Sequence, residues 1–528
     1  MTDQIAPPSP APDNWSFLDK SRRQRLEKSW AGTFRTHLLE QLPTTAFAQL
    51  FADRGGRPRK DYQLVLGVLV LQQLHDLTDA ETVEAISFNL SWHYALGIAP
   101  YSNPYLCERT LRNYRRVVME HELEQILFRE LTDKLMRVFK IDNTRQRIDS
   151  TAVCSAMRQL SRLGIVIETV SKFVRELRRC HPQLFAQVDS EIVRLYVQRT
   201  GAGCFGLTKP SEAKTRLPEA AKTLGQLVLQ FAATEAAQLH SYQLLKQVFD
   251  EQCAWEGAEG EPTLRIKTPD EIPCDSIHSP ADPDSSYNKH RGHGYSVQIM
   301  ETYVEDDDDA GFCEDAPAIP DLILHVAVGK LTEHDSTALG PAIADVRERE
   351  LCPTQVLGDS HYGSQELVEQ MHTQGIQLIS PAMPPKGYKQ GQITLEQFEL
   401  DASGAIIACP QGHPPDFSSV SNTKIEVRFD LNTCKDCPLH EQCPGYQRSQ
   451  SGKRWQYTPQ RVATRARRLA DQQPQFKERY RWRAGIEGTM SRLKYQMGLS
   501  RLRVRGISAV RYTVFLRALG LNIQRVSA

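Results

Sequence analysis

Apolar residues recur at three- and four-residue intervals through RTHLLEQLPTTAFAQLF (35–51), DYQLVLGVLVLQQL (61–74) and ELEQILFRELTDKLMRVF (122–139). That spacing predicts helices over most of residues 17–140. Within this region TDAETVEAISF opens with Thr78 followed by Glu81, the reciprocal pair that starts a helix. CERTLRNYRRVV (107–118) reads as a short basic helix behind a Pro/Asn/Ser loop. Short helices ending in an Arg-rich one fit a helix-turn-helix lying in a major groove. They fit a plain helical bundle equally well. The pattern then changes. TRQRIDSTAV (144–153) carries Ile148, Thr151 and Val153 at strand spacing, interrupted by Asp149. Helical periodicity returns over about 155–257, in GIVIETVSKFVRELRR and AKTLGQLVLQFAATEAAQLHSYQLLKQVF. GYSVQIMETYV (294–304) and DLILHVAVGK (321–330) read as strands, and EHDSTALGPAIADVRERE as a helix. PTQVLGDSHYGS (353–364) reads as a strand ending at Asp359, SQELVEQMHTQG as a helix and IQLISP as a strand. The order is strand, helical insertion, two strands, helix, strand, helix, strand. This is an α/β core with insertions, followed by a cysteine-bearing segment and basic helices. No internal repeat is visible.

Composition changes the picture in three ways. The 528 residues suffice for two or three domains. Net charge is zero, yet Ser451–Ala528 holds 18 Lys/Arg against 3 Asp/Glu. Balancing acid lies elsewhere, including Glu305-Asp306-Asp307-Asp308-Asp309. A basic C-terminal end points to an anionic partner; a solvated, arginine-rich helical face is the bland alternative. The start, MTDQIAPPSPAPDNW, reads as a flexible tail over residues 1–16 and not as a secretory leader. The longest apolar run, Leu64–Leu71, falls far short of the roughly 20 residues of a membrane span. A cytoplasmic, nucleoid-associated protein without membrane contact is expected.

Candidate chemistry centres on carboxylates. Asp149 and Asp359 sit at or near predicted strand ends, where open α/β sheets commonly build their sites. Asp282, Asp284 and Asp335 compete with them, since most Asp residues are loop or cap residues. A third acid, Glu487, lies in the basic stretch YRWRAGIEGTMSRLK (480–494) among Arg481, Arg483, Arg492 and Lys494. On a uniform helix at about 100° per residue, Tyr480, Arg483, Glu487 and Lys494 fall within roughly a 60° arc along about 21 Å. Such a stripe offers an acid to a metal and bases to a phosphate backbone. The bland alternative is a surface helix with an Arg483–Glu487 pair, worth tenths of a kcal/mol. Three converging carboxylates supply the hard oxygens that Mg²⁺ prefers. Two such ions, Mg²⁺ or Mn²⁺, would activate the attacking hydroxyl and stabilise the leaving oxygen.

The spacing Y-x2-R-x3-E-x6-K resembles the signature around the catalytic Glu of bacterial insertion-sequence transposases of the DDE type. IDSTAV (148–153) resembles their first-Asp segment and VLGDSHYGS (356–364) their second. GRPRKDYQLVLGVLVLQQL (56–74) looks like their helical leader, and DPDSSYNKHRGHGYSVQIMET (282–302) like the second-strand region of their ribonuclease H-like core. The resemblance covers about residues 15–525. It implies catalytic, metal-holding roles for Asp149, Asp359 and Glu487, and DNA contacts for Tyr480, Arg483 and Lys494, flanked by Arg481 and Arg492. His361 stands where many relatives carry a small residue.

CPQGH (409–413) and CKDCPLHEQC (434–443) give C-x3-H and C-x2-C-x5-C. Cys-x2-Cys turns place two thiolates on one tetrahedral Zn²⁺. Cys409, Cys434, Cys437 and Cys443 are the favoured ligands of one structural zinc, with His413 or His440 as substitutes; disulfides or free thiols are the alternative.

The expected organisation is therefore a tail (1–16), a helical, DNA-binding N-terminal domain (17–140) and a ribonuclease H-like mixed-sheet core (141–400 and 455–528). The core carries a helical insertion at about 155–257 and a zinc-ribbon-like insertion at 401–454. The expected function is transposition: binding terminal inverted repeats of double-stranded DNA, cutting, and joining the freed 3′-hydroxyl to target DNA, as a homodimer in a synaptic complex. A ribonuclease H-like nuclease that does not join, or a domesticated inactive DNA-binding protein, are the alternatives.

Overall fold

A computed structural model describes residues 14–51, 60–102, 104–157, 160–198, 210–256, 263–305, 319–385, 388, 391–443, 445–447 and 453–527. Most of the expected tail (1–13), part of the leader (56–59) and the acidic run Asp306–Asp309 lie outside the described residues. Trp15, at the end of that tail, is buried and meets the Tyr94 ring edge-on at 5.0 Å.

Strand β1 (Arg145–Cys154) leads into the helical insertion, which closes with the hairpin β2 (Cys253–Glu256) and β3 (Thr263–Ile266). The chain then returns through β4 (Ser286–Asn288), β5 (Gly292–Thr302), β6 (Ile323–Lys330), β7 (Gln355–Leu357) and β8 (Gln377–Ile379). The main sheet has the order β4-β5-β1-β7-β8, with β6 also on β5. It is mixed: β5 runs antiparallel to β1 and β6, whereas β7 is parallel to β1 and to β8. Parallel neighbours need crossovers, and helices Leu339–Glu348 and Gln365–Thr373 precede β7 and β8.

The N-terminal helices are not a separate body. Helix Tyr62–Leu74 buries ten residues, including Gly67 and Gln72, as an element apolar on nearly every side must. The C-terminal helix Ile507–Arg525 packs against it, against helix Leu123–Phe139 and against β6. Asn522 ties that helix to the sheet, its amide bonding the Ile323 N–H at 2.9 Å and the Ile323 carbonyl at 2.8 Å. One apolar core thus runs from Leu38 and Leu66 through Ile148 and Ile299 to Leu519, with no break at residue 140. The Thr78–Glu81 start is present in full, both partners bonding the backbone.

Two of the smaller cores belong to the insertions. One fills the insertion, around Phe173, Phe231 and Phe249. The other fills a lobe with the pair β9 (Glu399–Leu400) and β10 (Ile406–Ala408). Its four-stranded sheet contains β11 (Phe417–Val420), β12 (Ile425–Phe429), β13 (Tyr446–Gln447) and β14 (Lys453–Tyr457). Among the described residues no helix is long and apolar enough to cross a membrane.

Candidate active site

The sheet register brings the two aspartates together. β1 and β7 pair in parallel as Arg145↔Gln355, Gln146↔Val356 and Arg147↔Leu357. Two further residues along each chain bring Asp149 and Asp359 level. Asp149 is not at a strand end, as the sequence suggests, but in mid-strand opposite Ile299 of β5. It is β7 that stops at Leu357, leaving the β1 edge open where Asp149 lies. Asp359 then caps a short 3-10 turn, its Oδ1 accepting from the His361 N–H at 2.9 Å.

Asp149 is largely buried, and burial pushes its carboxyl above the ordinary range against the opposing pull of Arg483. The negative charges of Asp359 and Asp335 push the same way. Glu487 sits on helix Gly485–Ser491 with its side chain 65% exposed. Arg483 joins the two: Nη2 donates to Asp149 Oδ2 at 2.6 Å and Nη1 to Glu487 Oε1 at 2.8 Å. Burial alone would lower the Arg483 pKa, but Asp149, Tyr480, Asp359 and Glu487 outweigh it and hold the guanidinium charged. So the Arg483–Glu487 pair exists, but as part of a bridge that reaches Asp149.

The basic stretch is not one uniform helix. An α-helix ends at Tyr480, a 3-10 turn spans Arg481–Ala484, α-helix resumes over Gly485–Ser491, and a π-helical turn covers Arg492–Gln496. These segments rotate by different angles per residue, so uniform 100° steps do not describe the whole stretch. Lys494 lines a recess of about 420 Å³ with Ser150, Thr151, His290, Arg291 and Tyr495. The Tyr480 ring stacks on Phe476 at 5.5 Å and packs with Tyr303, Leu357 and Ile379 beneath the site. Its hydroxyl is pushed up to about 12, first by burial and then by Asp359, Asp149 and Glu487 against Arg483. Arg481 and Arg492 are exposed, Arg481 lying 4.8 Å over the Trp482 ring.

The competing aspartates separate clearly. Asp282 is fully buried and accepts from Ser155, from the Tyr295 hydroxyl at 2.5 Å and from the Gly506 N–H at 2.8 Å. Asp284 accepts from the Ile507 N–H at 3.0 Å. Both anchor the start of the C-terminal helix. Asp335, in contrast, borders the site. Only 5% exposed, it accepts from Arg291 Nη2 at 3.2 Å and Gln298 Nε2 at 3.1 Å. His361 Nδ1 lies 3.2 Å from Asp335 and 4.0 Å from Asp359. Burial would raise the Asp335 pKa, but bonds from Ser150, His361 and Gln298 and the Arg291 charge keep it low. The His-Asp pair in LTEHDSTA was the available signal, and its spacing matched an ordinary helix start.

Asp149, Asp359 and Glu487 offer carboxylate oxygens of the kind Mg²⁺ and Mn²⁺ take. Among the described residues, however, no three His, Cys, Asp or Glu side chains close on a point that could hold a metal ion. At the carboxylates, the cation between Asp149 and Glu487 is the Arg483 guanidinium.

In the lobe, Cys409, Cys434, Cys437 and Cys443 are free thiols around one cavity of about 220 Å³, with His413 and His440 also in its wall. Burial, and proximity to Cys443 and Cys437, raise the Cys434 thiol. His440 Nδ1 is engaged by the Cys434 carbonyl at 2.6 Å.

Two family models match parts of the chain: "Transposase domain (DUF772)" over residues 24–117 and "Transposase DDE domain" over residues 408–527. The second span contains Arg483, Glu487, Lys494 and the four lobe cysteines, whereas Asp149 and Asp359 lie outside both. No curated protein and no solved structure matches the chain.

Proposed function

We propose, for a chain that is a transposase of the DDE class, that Asp149, Asp359 and Glu487 are its catalytic carboxylates. The observation that carries this is the register of β1 against β7, which sets Asp149 beside Asp359, together with the Arg483 bridge from Asp149 to Glu487. The strand order β6-β5-β1-β7-β8, with only β5 antiparallel to its neighbours, supports a ribonuclease H-like core.

The three carboxylates would hold the divalent ions, Mg²⁺ or Mn²⁺, that a DDE transposase uses, two being the number suited to in-line transfer. When bound, these supply a more acidic attacking hydroxyl and charge stabilisation at the leaving oxygen. The chain's own residues do the rest. Arg483 pairs with both Asp149 and Glu487 before DNA arrives, offsetting part of their charge, and turns a guanidinium face to the phosphate when the acids are otherwise satisfied. Lys494, with Arg291 beside it, lines the recess next to Asp149 and grips the adjoining backbone. Exposed Arg481 and Arg492 add to the field that draws double-stranded DNA to this face. Tyr480 holds the floor of the site through its packing on Leu357. The N-terminal helices bind the terminal inverted repeats, and two copies bring both element ends together.

A strand-transfer assay tests this reading: a duplex bearing the inverted repeats that flank the gene, supercoiled target DNA and Mg²⁺. Joined product is the expected result. Hydrolysis without joining identifies a nuclease, and binding without cleavage an inactive DNA-binding protein.

The cysteine lobe takes one structural Zn²⁺ in this reading. Four thiols and two imidazoles in the wall of one cavity are the appropriate soft donors. Their side chains must draw in to close a tetrahedron of Cys409, Cys434, Cys437 and Cys443, with His413 as the replacement. Elemental analysis of untreated protein is expected to find about one Zn²⁺ per chain. Cys434→Ser with Cys437→Ser should lose it and lower the melting temperature, since structural zinc contributes folding free energy. Zinc-free, stably folded wild-type protein would end this proposal.

A further inference from the structure

Among the described residues the Glu487 carboxylate bonds one side chain, Arg483, so the placement of its backbone relative to Asp149 must be set by other contacts. We propose that the buried pair Arg147–Glu301 is the positioning element: it clamps the Glu487 segment on both sides and ties it to the strand that carries Asp149. The inference rests on Glu487 being an active-site carboxylate.

Arg147 lies two residues before Asp149 on β1, hence on the same face of the sheet. It stands directly opposite Glu301 of β5. Arg147 is 4% exposed and Glu301 fully buried. Arg147 Nε donates to Glu301 Oε1 at 2.8 Å and Nη2 to Asp321 Oδ2 at 2.6 Å. The remaining nitrogen, Nη1, reaches out of the sheet and donates to the Trp482 carbonyl at 2.7 Å, in the 3-10 turn just before the Glu487 helix. The other oxygen of Glu301 accepts from the Thr489 hydroxyl at 2.7 Å, two residues after Glu487. Arg525 Nη1, from the C-terminal helix, bonds the same oxygen at 2.9 Å. The segment from Trp482 to Thr489, which contains Glu487, is therefore anchored at both ends to one ion pair.

Buried ion pairs are poor sources of stability, because desolvation offsets most of the attraction. This pair's direct bonds to the Glu487 segment give it a geometric role instead. Gly485 shows how close the fit is. Its backbone is ordinary helix, but a methyl group there would fall inside the Arg147 guanidinium. At Gly488, on the same helix, a methyl group would meet nothing within 4 Å.

The two glycines give a matched test. Both Gly→Ala changes raise intrinsic helix propensity. Gly485→Ala is expected to lower the melting temperature, because the added methyl displaces the buried Arg147 guanidinium, and to slow cleavage by about 10- to 100-fold, the scale of a small misplacement in a site. It should also weaken Mn²⁺ binding to the protein–DNA complex several-fold, read from the EPR signal of the free ion. Gly488→Ala should change neither. Thr489→Val, which removes the downstream anchor and keeps the side-chain shape, should reproduce the Gly485→Ala result and decides the matter should Gly485→Ala fold poorly. Wild-type cleavage and Mn²⁺ affinity in both Gly485→Ala and Thr489→Val overturn the clamp. Normal cleavage by Glu487→Gln overturns the underlying reading of Glu487 instead.

Discussion

Replacing Asp149 or Asp359 by Asn, or Glu487 by Gln, is expected to lower cleavage of element-end DNA by on the order of 10³-fold, with end binding largely retained. Each change removes a hard anionic ligand from a site that needs charge at the reacting oxygens. None removes a basic DNA contact. The three variants should differ in stability, and the structure says how. The Glu487 side chain is mostly exposed and its bonded partner Arg483 keeps Asp149, so Glu487→Gln should melt close to the wild type. Asp149→Asn leaves the half-buried Arg483 with Glu487 as its remaining bonded carboxylate, and some stability is lost. Asp359→Asn keeps an oxygen for the His361 N–H and should lie between. Gel-shift binding without metal, a melting curve and a cleavage time course on each variant make the check. Near-normal cleavage by any folded variant removes that residue from the site.

What the chain reveals by itself divides along physical lines. The strand and helix order of the core follows from residue periodicity, which is local, and the mixed sheet bears it out around β1, β5, β6, β7 and β8. The position of Asp149 within β1 was less legible, because an open strand edge depends on where the neighbour stops, and β7 is only three residues long. Asp335 could not be told from the competing Asp282 and Asp284 by sequence for a related reason. Its partners Arg291, Gln298 and His361 come from the turn before β5, from β5 and from the turn after β7, and no sequence spacing encodes their meeting. The mixed helix type of residues 474–496 was not legible, because 100° steps assume α-helix throughout. The 3-10 turn at Arg481–Ala484 presents the Trp482 carbonyl to Arg147, a contact across 335 residues. The grouping of Cys434, Cys437 and Cys443 around one cavity, by contrast, follows from C-x2-C-x5-C, where short spacing restricts geometry; Cys409 is brought to it by the fold of the lobe.

Arg483→Ala is expected to separate two roles that the sequence treats as one. In the structure this guanidinium bonds both Asp149 and Glu487, whereas Lys494 faces the recess beside Ser150 and Arg291. Removing Arg483 deletes a phosphate contact, so the slope of log affinity against log salt should fall by roughly 0.9. It also deletes the cation that competes with a divalent ion for the two acids. The attraction of nearby negative charge for an ion is then unopposed, so the Mg²⁺ concentration for half-maximal cleavage should drop several-fold. The rate at saturating Mg²⁺ should still fall by on the order of 10²-fold, since a donor aimed at the developing phosphate charge is lost. Lys494→Ala should lower the salt slope by a similar amount and leave the Mg²⁺ requirement unchanged, because Lys494 touches neither acid. A purely structural ion pair predicts something else for Arg483→Ala: a lower melting temperature, with salt slope and Mg²⁺ requirement both unmoved. Affinity titrated against salt, and cleavage titrated against Mg²⁺, therefore assign Arg483 to the DNA, to the metal-binding acids, or to neither.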